Sequence, residues 1–188
     1  IVSVLKSHGY DVYLIDLFSE SWSRKALLQE LRSIEAVLAV GITTYTEAVH
    51  LALEVADLAK EALPQTTVIL GGVHATFLPE EVLGHSSVHF VVRGEGEATI
   101  VMLLELIKYQ KYVNPEEVRG IAYRDGRTVH STGGRPFIRN VDNLPLPAYQ
   151  VLDHEAYSST VSVISSSRYR DSSPLSSNAR RTRPGRSC

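Results

Sequence analysis

Hydrophobic positions along the first 112 residues alternate between two periods. Four short, mostly apolar runs have the length and composition of buried parallel strands. These runs lie at 12–17, 36–42, 67–71 and 88–93. Three longer stretches between and after them carry apolar residues at helical spacing. These stretches lie at 24–32, 44–63 and 97–112. Strands that alternate with crossover helices predict an α/β protein built on a doubly wound parallel sheet.

The first residues predict the end of an amphipathic helix. The helical pattern stops near His8, and Gly9 tolerates the positive φ of a helix C-terminus. Because the chain opens in mid-helix, we expect the strand before that helix to be absent from it, which leaves four of an expected five strands. The run at 36–42 is apolar on both faces, as a central strand should be, and Thr44 or Thr46 is expected to cap the helix that follows it.

The period changes after Pro115. Residues 118–130 predict a β-hairpin whose turn is Asp125-Gly126, because Asp-Gly tolerates the positive φ values of a two-residue connection. A proline-rich connector follows at 143–149, and from about residue 158 the chain becomes rich in serine and arginine. We therefore expect an α/β domain over 1–113, a hairpin appendage and connector over 114–157, and a disordered tail over 158–188.

Composition excludes several functional classes. The 19 basic and 21 acidic residues give a formal net charge of -2, which offers no electrostatic reason to expect nucleic acid. A single cysteine, Cys188, rules out an internal disulfide framework and an iron–sulfur cluster ligated by this chain alone. The cysteine usage fits a reducing cytoplasm, and no apolar run reaches the length of a membrane span.

Three segments follow predicted strands, where open parallel sheets bind ligands. They lie at 41–46, 71–76 and 93–97 and are rich in glycine and hydroxyl side chains. Each also has an ordinary interpretation, since glycines commonly form turns after strands and His74 can be a hydrogen-bonded loop histidine. Glu95 and Glu97 could form a general acid–base pair, although solvated helix-capping carboxylates are the commoner case.

The combination of these segments resembles a known family. The motifs that carry the resemblance lie at 71–76, 79–83, 91–97, 120–124, 135–138 and 143–149. In order and spacing they are similar to the N-terminal domain of cobalamin-dependent radical S-adenosylmethionine enzymes. Class B methylases and the anaerobic oxidative cyclase of bacteriochlorophyll synthesis belong to this group. The likeness covers about residues 1–167 and does not identify a substrate.

The resemblance implies a flavodoxin-like, Rossmann-like domain that holds a corrinoid over the carboxyl edge of its sheet. The residues implied to contact the cobalamin are Gly41, Thr43, Thr44, Tyr45, Gly71, Gly72, His74, Thr76, Gly94, Glu95, Gly96 and Glu97. Corrinoid proteins that ligate cobalt through histidine use an Asp-x-His-x-x-Gly motif, which this sequence lacks. We therefore expect no histidine ligand to cobalt and no protein-bound metal, with His74 contacting at most the nucleotide tail or a loop.

The resemblance also implies a catalytic domain that this chain does not contain. In the family, a following barrel carries Cys-x-x-x-Cys-x-x-Cys, which holds a [4Fe–4S] cluster that binds S-adenosylmethionine. Here Val163-Ile164-Ser165-Ser166-Ser167-Arg168 resembles the lead-in strand, but Tyr169-Arg170-Asp171 replaces the cysteine motif. A change of reading frame after Arg168 would explain this, and the alternative is a genuine disordered tail.

We therefore interpret the chain as a corrinoid-binding domain without catalytic residues, inactive alone and separated from its radical S-adenosylmethionine domain. Without the first strand, we expect it to bind cobalamin weakly or not at all. Two alternatives remain open. One is a stand-alone corrinoid carrier or cobalamin sensor, which would normally present the missing histidine motif. The other is a receiver-like signalling domain. Such domains place a cluster of acidic residues at the strand ends, and here Asp16 is the single acidic residue expected at that edge.

Overall fold

A mixed β-sheet organises the computed structural model, which describes residues 1–17, 22–109 and 114–152. Within these residues the sheet has five strands in the order β1-β2-β3-β4-β5. Their bounds are Ala39–Thr43 (β1), Thr67–Gly71 (β2), Phe90–Val92 (β3), Ile121–Asp125 (β4) and Thr128–Ser131 (β5). The first three strands are parallel, and β4 runs antiparallel to both β3 and β5. The α/β class predicted from the sequence is confirmed.

Six α-helices are described alongside the strands. Their bounds are Val2–Ser7 (α1), Arg24–Ser33 (α2), Val49–Ala62 (α3), Val73–Phe77 (α4), Pro79–Leu83 (α5) and Glu97–Tyr109 (α6). Single 3-10 turns lie at Thr46–Ala48, Pro115–Glu117, Val141–Asn143 and Tyr149–Val151. The hydroxyl of Ser23 starts α2 by accepting from the backbone N–H of Ala26 at 3.1 Å. No described helix is long and apolar enough to cross a membrane.

Both faces of the sheet are covered by helices. Val68 and Leu70 of β2 are fully buried in a cluster that includes Ala59 of α3 and Leu83 of α5. Ile69, between them, belongs to a second cluster that includes Leu103 of α6. Because successive strand residues point to opposite faces, a strand covered on both sides needs a continuous apolar run. This requirement explains why the run at 67–71 was recognisable from the sequence.

The sequence expectation of a strand at 12–17 is wrong. This segment takes no part in the sheet among the described residues. Ile15 instead packs against the cluster formed by α2 and α3, whereas Tyr13 is 61% exposed. Strand-forming residues make a strand only where a neighbour completes the hydrogen-bond ladder. The described sheet ends at β1, so β1 is an edge strand there and not the expected central one. Its Val40 and Ile42 are correspondingly only half-buried.

Neither Thr44 nor Thr46 caps α3, which begins at Val49 after the Thr46–Ala48 turn and has no side-chain cap. The reason is that the hydroxyl of Thr44 is used elsewhere, as described below. The predicted helix end at 110–112 lies outside the described residues, as does the predicted tail at 158–188.

The hairpin is part of the main sheet and is not an appendage. Phe90 of β3 pairs with Tyr123 of β4, and the two rings lie 6.2 Å apart. The connecting turn also differs from the expected one by one residue. Asp125 is the last residue of β4, and of the turn residues only Gly126 has a positive φ, +57°. A glycine at the first central position satisfies the tight connection, so the aspartate does not need a strained backbone.

Candidate functional site

The carboxyl ends of the three parallel strands lie at one edge of the sheet. The segments that follow them are residues 43–46, 71–76 and 93–97, called here the carboxyl-edge loops. Gly41 belongs to β1 itself and precedes the first of these loops by two residues. The structure therefore brings the three sequence-predicted segments together at the edge where open α/β sheets bind ligands.

Thr44 joins the first two loops. Its backbone N–H and its hydroxyl both donate to the carbonyl of Gly71 at 2.8 Å, and the hydroxyl accepts from the N–H of Ala75 at 3.2 Å. The side chain is fully buried. Thr44 is thus a link between β1 and the start of α4, and its hydroxyl does not face solvent.

Gly72 makes this link possible. Its φ is +98° and its ψ is -176°, a combination that only glycine adopts readily. A Cβ added to it would lie 2.6 Å from the carbonyl oxygen of Thr44 and 3.0 Å from Oγ1 of Thr43. The ligand contact expected at this glycine stays a prediction, and the space left by its missing side chain is filled by the backbone of the neighbouring loop.

His74 lies beneath the loops and is only 4% exposed. Its Nδ1 is 3.4 Å from the hydroxyl of Thr46, and its Nε2 is 3.6 Å from a carboxylate oxygen of Glu81. Nε2 has no hydrogen-bond partner among the described residues. The ring therefore contacts the first loop from inside the protein.

Thr76 joins the second loop to the third. Its hydroxyl donates to the carbonyl of Gly72 at 2.8 Å and accepts from the N–H of Gly94 at 3.0 Å. Gly94 has φ +70°, and nothing lies within 4 Å of a Cβ built on it. The carboxyl-edge loops consequently form one hydrogen-bonded unit whose outer backbone at Gly94 is open.

Glu95 and Glu97 have different surroundings. Glu95 accepts from the backbone N–H of Ile138 at 2.6 Å, which ties the third loop to the chain after β5. Glu97 lies in the first turn of α6, where a carboxylate complements the helix dipole. Gly96 packs tightly, since a Cβ there would be 3.3 Å from Ile1. No hydrogen bond joins the two carboxylates, and the acid–base alternative considered from the sequence stays untested.

Glu97 also borders two surface cavities beside α6. Their volumes are about 570 and 300 Å³, and they lie between α1, α6 and the segment 138–152. Val4 and Leu144 contribute to both. Neither cavity is lined by the first or second carboxyl-edge loop.

The structure adds residues that were not selected from the sequence. Val73 and Phe77 on α4 are 56% and 77% exposed, and Tyr45, which was selected, is 55% exposed. Arg93 was quoted within a motif but not chosen, although its buried Nε has no hydrogen-bond partner among the described residues. The sequence could have indicated Arg93, because a positively charged residue directly follows a predicted apolar strand.

Comparison with known proteins decides the family. Residues 1–104 match the family described as the B12 binding domain. The chain belongs to that family. The anaerobic magnesium-protoporphyrin IX monomethyl ester cyclase of Cereibacter sphaeroides is 32% identical over 156 residues, which are 81% of this chain and 25% of the cyclase. An uncharacterized methyltransferase of Pyrococcus horikoshii is 32% identical over 149 residues, which are 79% of this chain and 32% of the relative.

A solved structure supports the same fold. The cobalamin-dependent S-adenosylmethionine radical enzyme OxsB, with aqua-cobalamin and S-adenosylmethionine bound, superimposes with a TM-score of 0.69 at 23% identity. The alignment covers 83% of this chain and 21% of OxsB. The family match and the cyclase relative confirm the family resemblance inferred from the sequence motifs. The chain spans about a quarter to a third of the length of these two curated relatives.

Proposed function

We propose that this chain is a cobalamin-binding module that holds the corrinoid against its carboxyl-edge loops. The observation that carries the proposal is the hydrogen-bonded unit built by Thr44 and Thr76 in a chain of the B12-binding family. Because the three loops are linked before any ligand arrives, little conformational entropy remains to be lost on binding.

The surface of this unit fits the chemistry of a corrinoid. A corrin ring offers broad apolar faces rimmed by amide side chains, so its site needs both apolar area and hydrogen-bonding groups. Tyr45 and Val73 supply exposed apolar area next to the loops. The exposed Thr43 supplies a hydroxyl, and the open space beside Gly94 lets a ligand approach the backbone there. When bound, cobalamin supplies a cobalt centre that can carry a methyl group.

The position of His74 supports binding without a histidine ligand to cobalt. It is the one histidine of the carboxyl-edge loops, and its ring is buried with its two nitrogens toward Thr46 and Glu81. A cobalt ligand would have to present a ring nitrogen at the outer surface. We infer that this protein positions the corrinoid through its loops alone.

The longer protein in which such a module works belongs to the proposal as well. The names of the relatives are those of a cyclase and a methyltransferase, and OxsB is a radical enzyme that binds S-adenosylmethionine. We infer that the module serves a radical S-adenosylmethionine domain with its own [4Fe–4S] cluster in a reducing, cytoplasmic compartment. This chain has one cysteine, too few to ligate such a cluster, and we infer that it supplies the corrinoid site.

A visible-spectrum titration with hydroxocobalamin tests the proposal. We expect weak but saturable binding, so the cobalamin concentration in the titration extends to about 1 mM. A Kd of about 1 mM corresponds to a standard binding free energy of about -4 kcal/mol. Tyr45→Ala should weaken binding about five-fold or more because it removes exposed aromatic area beside the site. Tyr109→Ala is the matched control, since Tyr109 is similarly exposed, at 50%, but ends α6 far from its carboxyl-edge start. Absence of saturable binding, or equal losses in both variants, would contradict the proposal.

A further inference from the structure

Arg93 differs from other arginines in its surroundings. It directly follows the last residue of β3, and its backbone N–H donates to the carbonyl of Gly120 at 2.8 Å. Among the described residues its guanidinium has neither a hydrogen bond nor an ion pair, and its Nε is buried. A buried donor without a partner is rare in native proteins and calls for an explanation, such as a ligand.

The other arginines near this edge do not share that state. Arg135 donates through Nε to the hydroxyl of Thr99 at 3.0 Å and through Nη2 to the sulfur of Met102 at 2.9 Å. Arg119 is exposed, so water can satisfy its guanidinium. Arg93 is therefore a half-buried cation of the carboxyl-edge loops whose guanidinium makes no hydrogen bond to the described residues.

The guanidinium of Arg93 favours an anionic ligand, whereas the nearest charges along the chain oppose one. Glu95 and Glu97 follow within four residues and repel an anion, although the carboxylate of Glu95 accepts a hydrogen bond from the N–H of Ile138. A guanidinium presents a planar fork of donors that matches the oxygens of a phosphate, and such charge-assisted bonds are stronger than neutral ones.

Building on the proposed function, we propose that Arg93 binds the phosphodiester of the nucleotide tail of cobalamin. That phosphodiester is the anionic group of the cobalamin periphery, whereas the amide side chains of the corrin are neutral. The assignment places the tail beside the third carboxyl-edge loop, next to the hydrogen bond that links Thr76 and Gly94.

The test compares cobalamin with cobinamide, which keeps the corrin but lacks the nucleotide and its phosphodiester. Arg93→Gln should weaken cobalamin binding about ten-fold to a hundred-fold, the range of a hydrogen bond to a charged group. The same substitution should change cobinamide binding less than about two-fold. Arg93→Lys keeps the charge but loses the fork, so its loss should fall between wild type and Arg93→Gln.

Arg119→Gln provides the matched control because it removes the same charge from an exposed residue next to Gly120. It should leave both affinities nearly unchanged. The unfolding midpoint of Arg93→Gln should stay within about 2 °C of wild type, since no partner is lost on substitution.

The outcomes separate this inference from the proposed function. If the wild-type chain binds neither ligand, the proposed function itself fails. If the chain binds cobalamin but Arg93→Gln binds it as tightly as wild type, the assignment of Arg93 fails alone. The assignment would also be overturned if Arg93→Gln weakened cobalamin and cobinamide binding equally, or if Arg119→Gln weakened cobalamin binding as much as Arg93→Gln. Neither result would require a contact between Arg93 and the phosphodiester.

Discussion

Gly72→Ala tests whether the carboxyl-edge loops are held together as the structure indicates. The added Cβ would lie 2.6 Å from the carbonyl oxygen of Thr44 and 2.8 Å from its backbone nitrogen. Contacts under 3.0 Å force something to move, and both of these atoms belong to backbone. The same nitrogen donates to Gly71, so the first and second loops can separate only by weakening that hydrogen bond.

The size of the effect follows from two contributions. Holding alanine at φ +98° and ψ -176° costs about 1–3 kcal/mol, because this region is nearly restricted to glycine. Relieving the overlap with Thr44 costs a further 1–3 kcal/mol, roughly, as for other overpacked sites. The free energy of unfolding should therefore fall by about 2–6 kcal/mol, a large part of the 5–15 kcal/mol typical of a domain.

Gly94→Ala separates the two contributions. Gly94 also has a positive φ, +70°, but no atom lies within 4 Å of a Cβ built on it. It should lose about 1–2 kcal/mol, the backbone contribution alone. Urea unfolding followed by far-ultraviolet circular dichroism measures both variants, and Gly72→Ala should have the lower midpoint by about 1 M or more. Equal midpoints would refute the inference that Gly72 is required by the backbone of Thr44.

Two further predictions concern a titratable side chain and the second link between the loops. Burial lowers the pKa of His89 below 6.5, with a smaller contribution from Lys60, and its Nδ1 accepts from the N–H of Val68 at 3.1 Å. The imidazole of His89 therefore binds a proton more readily in the unfolded chain than in the folded one. Its contribution to the free energy of unfolding should be complete above about pH 6.5 and should be lost as the pH falls below that value. His89→Asn retains an acceptor and should lose less stability between pH 7.5 and pH 5.5 in urea titrations. Thr76→Val should cost about 1–2 kcal/mol and weaken cobalamin binding, whereas Thr76→Ser should restore both; a valine variant equal to wild type would show that the link to Gly94 is dispensable.

The sequence predicted the elements whose formation depends on local pattern. The helix expected at 24–32 is found at Arg24–Ser33, and the strand expected at 67–71 is found at Thr67–Gly71. The prediction failed at 12–17, where the residue types favour a strand but no described neighbour pairs with it. Strand formation depends on a partner that local composition cannot reveal. The pairing of Phe90 with Tyr123 was missed for the same reason.

The candidate site was predictable in position but not in detail. Strand ends followed by glycine and threonine were enough to indicate the edge of the sheet. They did not reveal that Thr44 is fully buried, because that depends on Gly71 and Ala75. Nor did they reveal that the guanidinium of Arg93 has no partner among the described residues, since pairing depends on the neighbours in space.

Gly72 and Gly94 explain why a motif cannot separate structural from ligand-binding residues. Both follow a strand of the same sheet, and both have positive φ, so glycine is favoured at each position. At Gly72 the space left by the missing side chain is filled by Thr44, whereas at Gly94 it is open. Only at the second does the missing side chain leave space for a ligand. A glycine in such a motif therefore indicates a ligand contact only after the atoms around its Cβ position are known, and on that criterion Gly94 is the better candidate of the two.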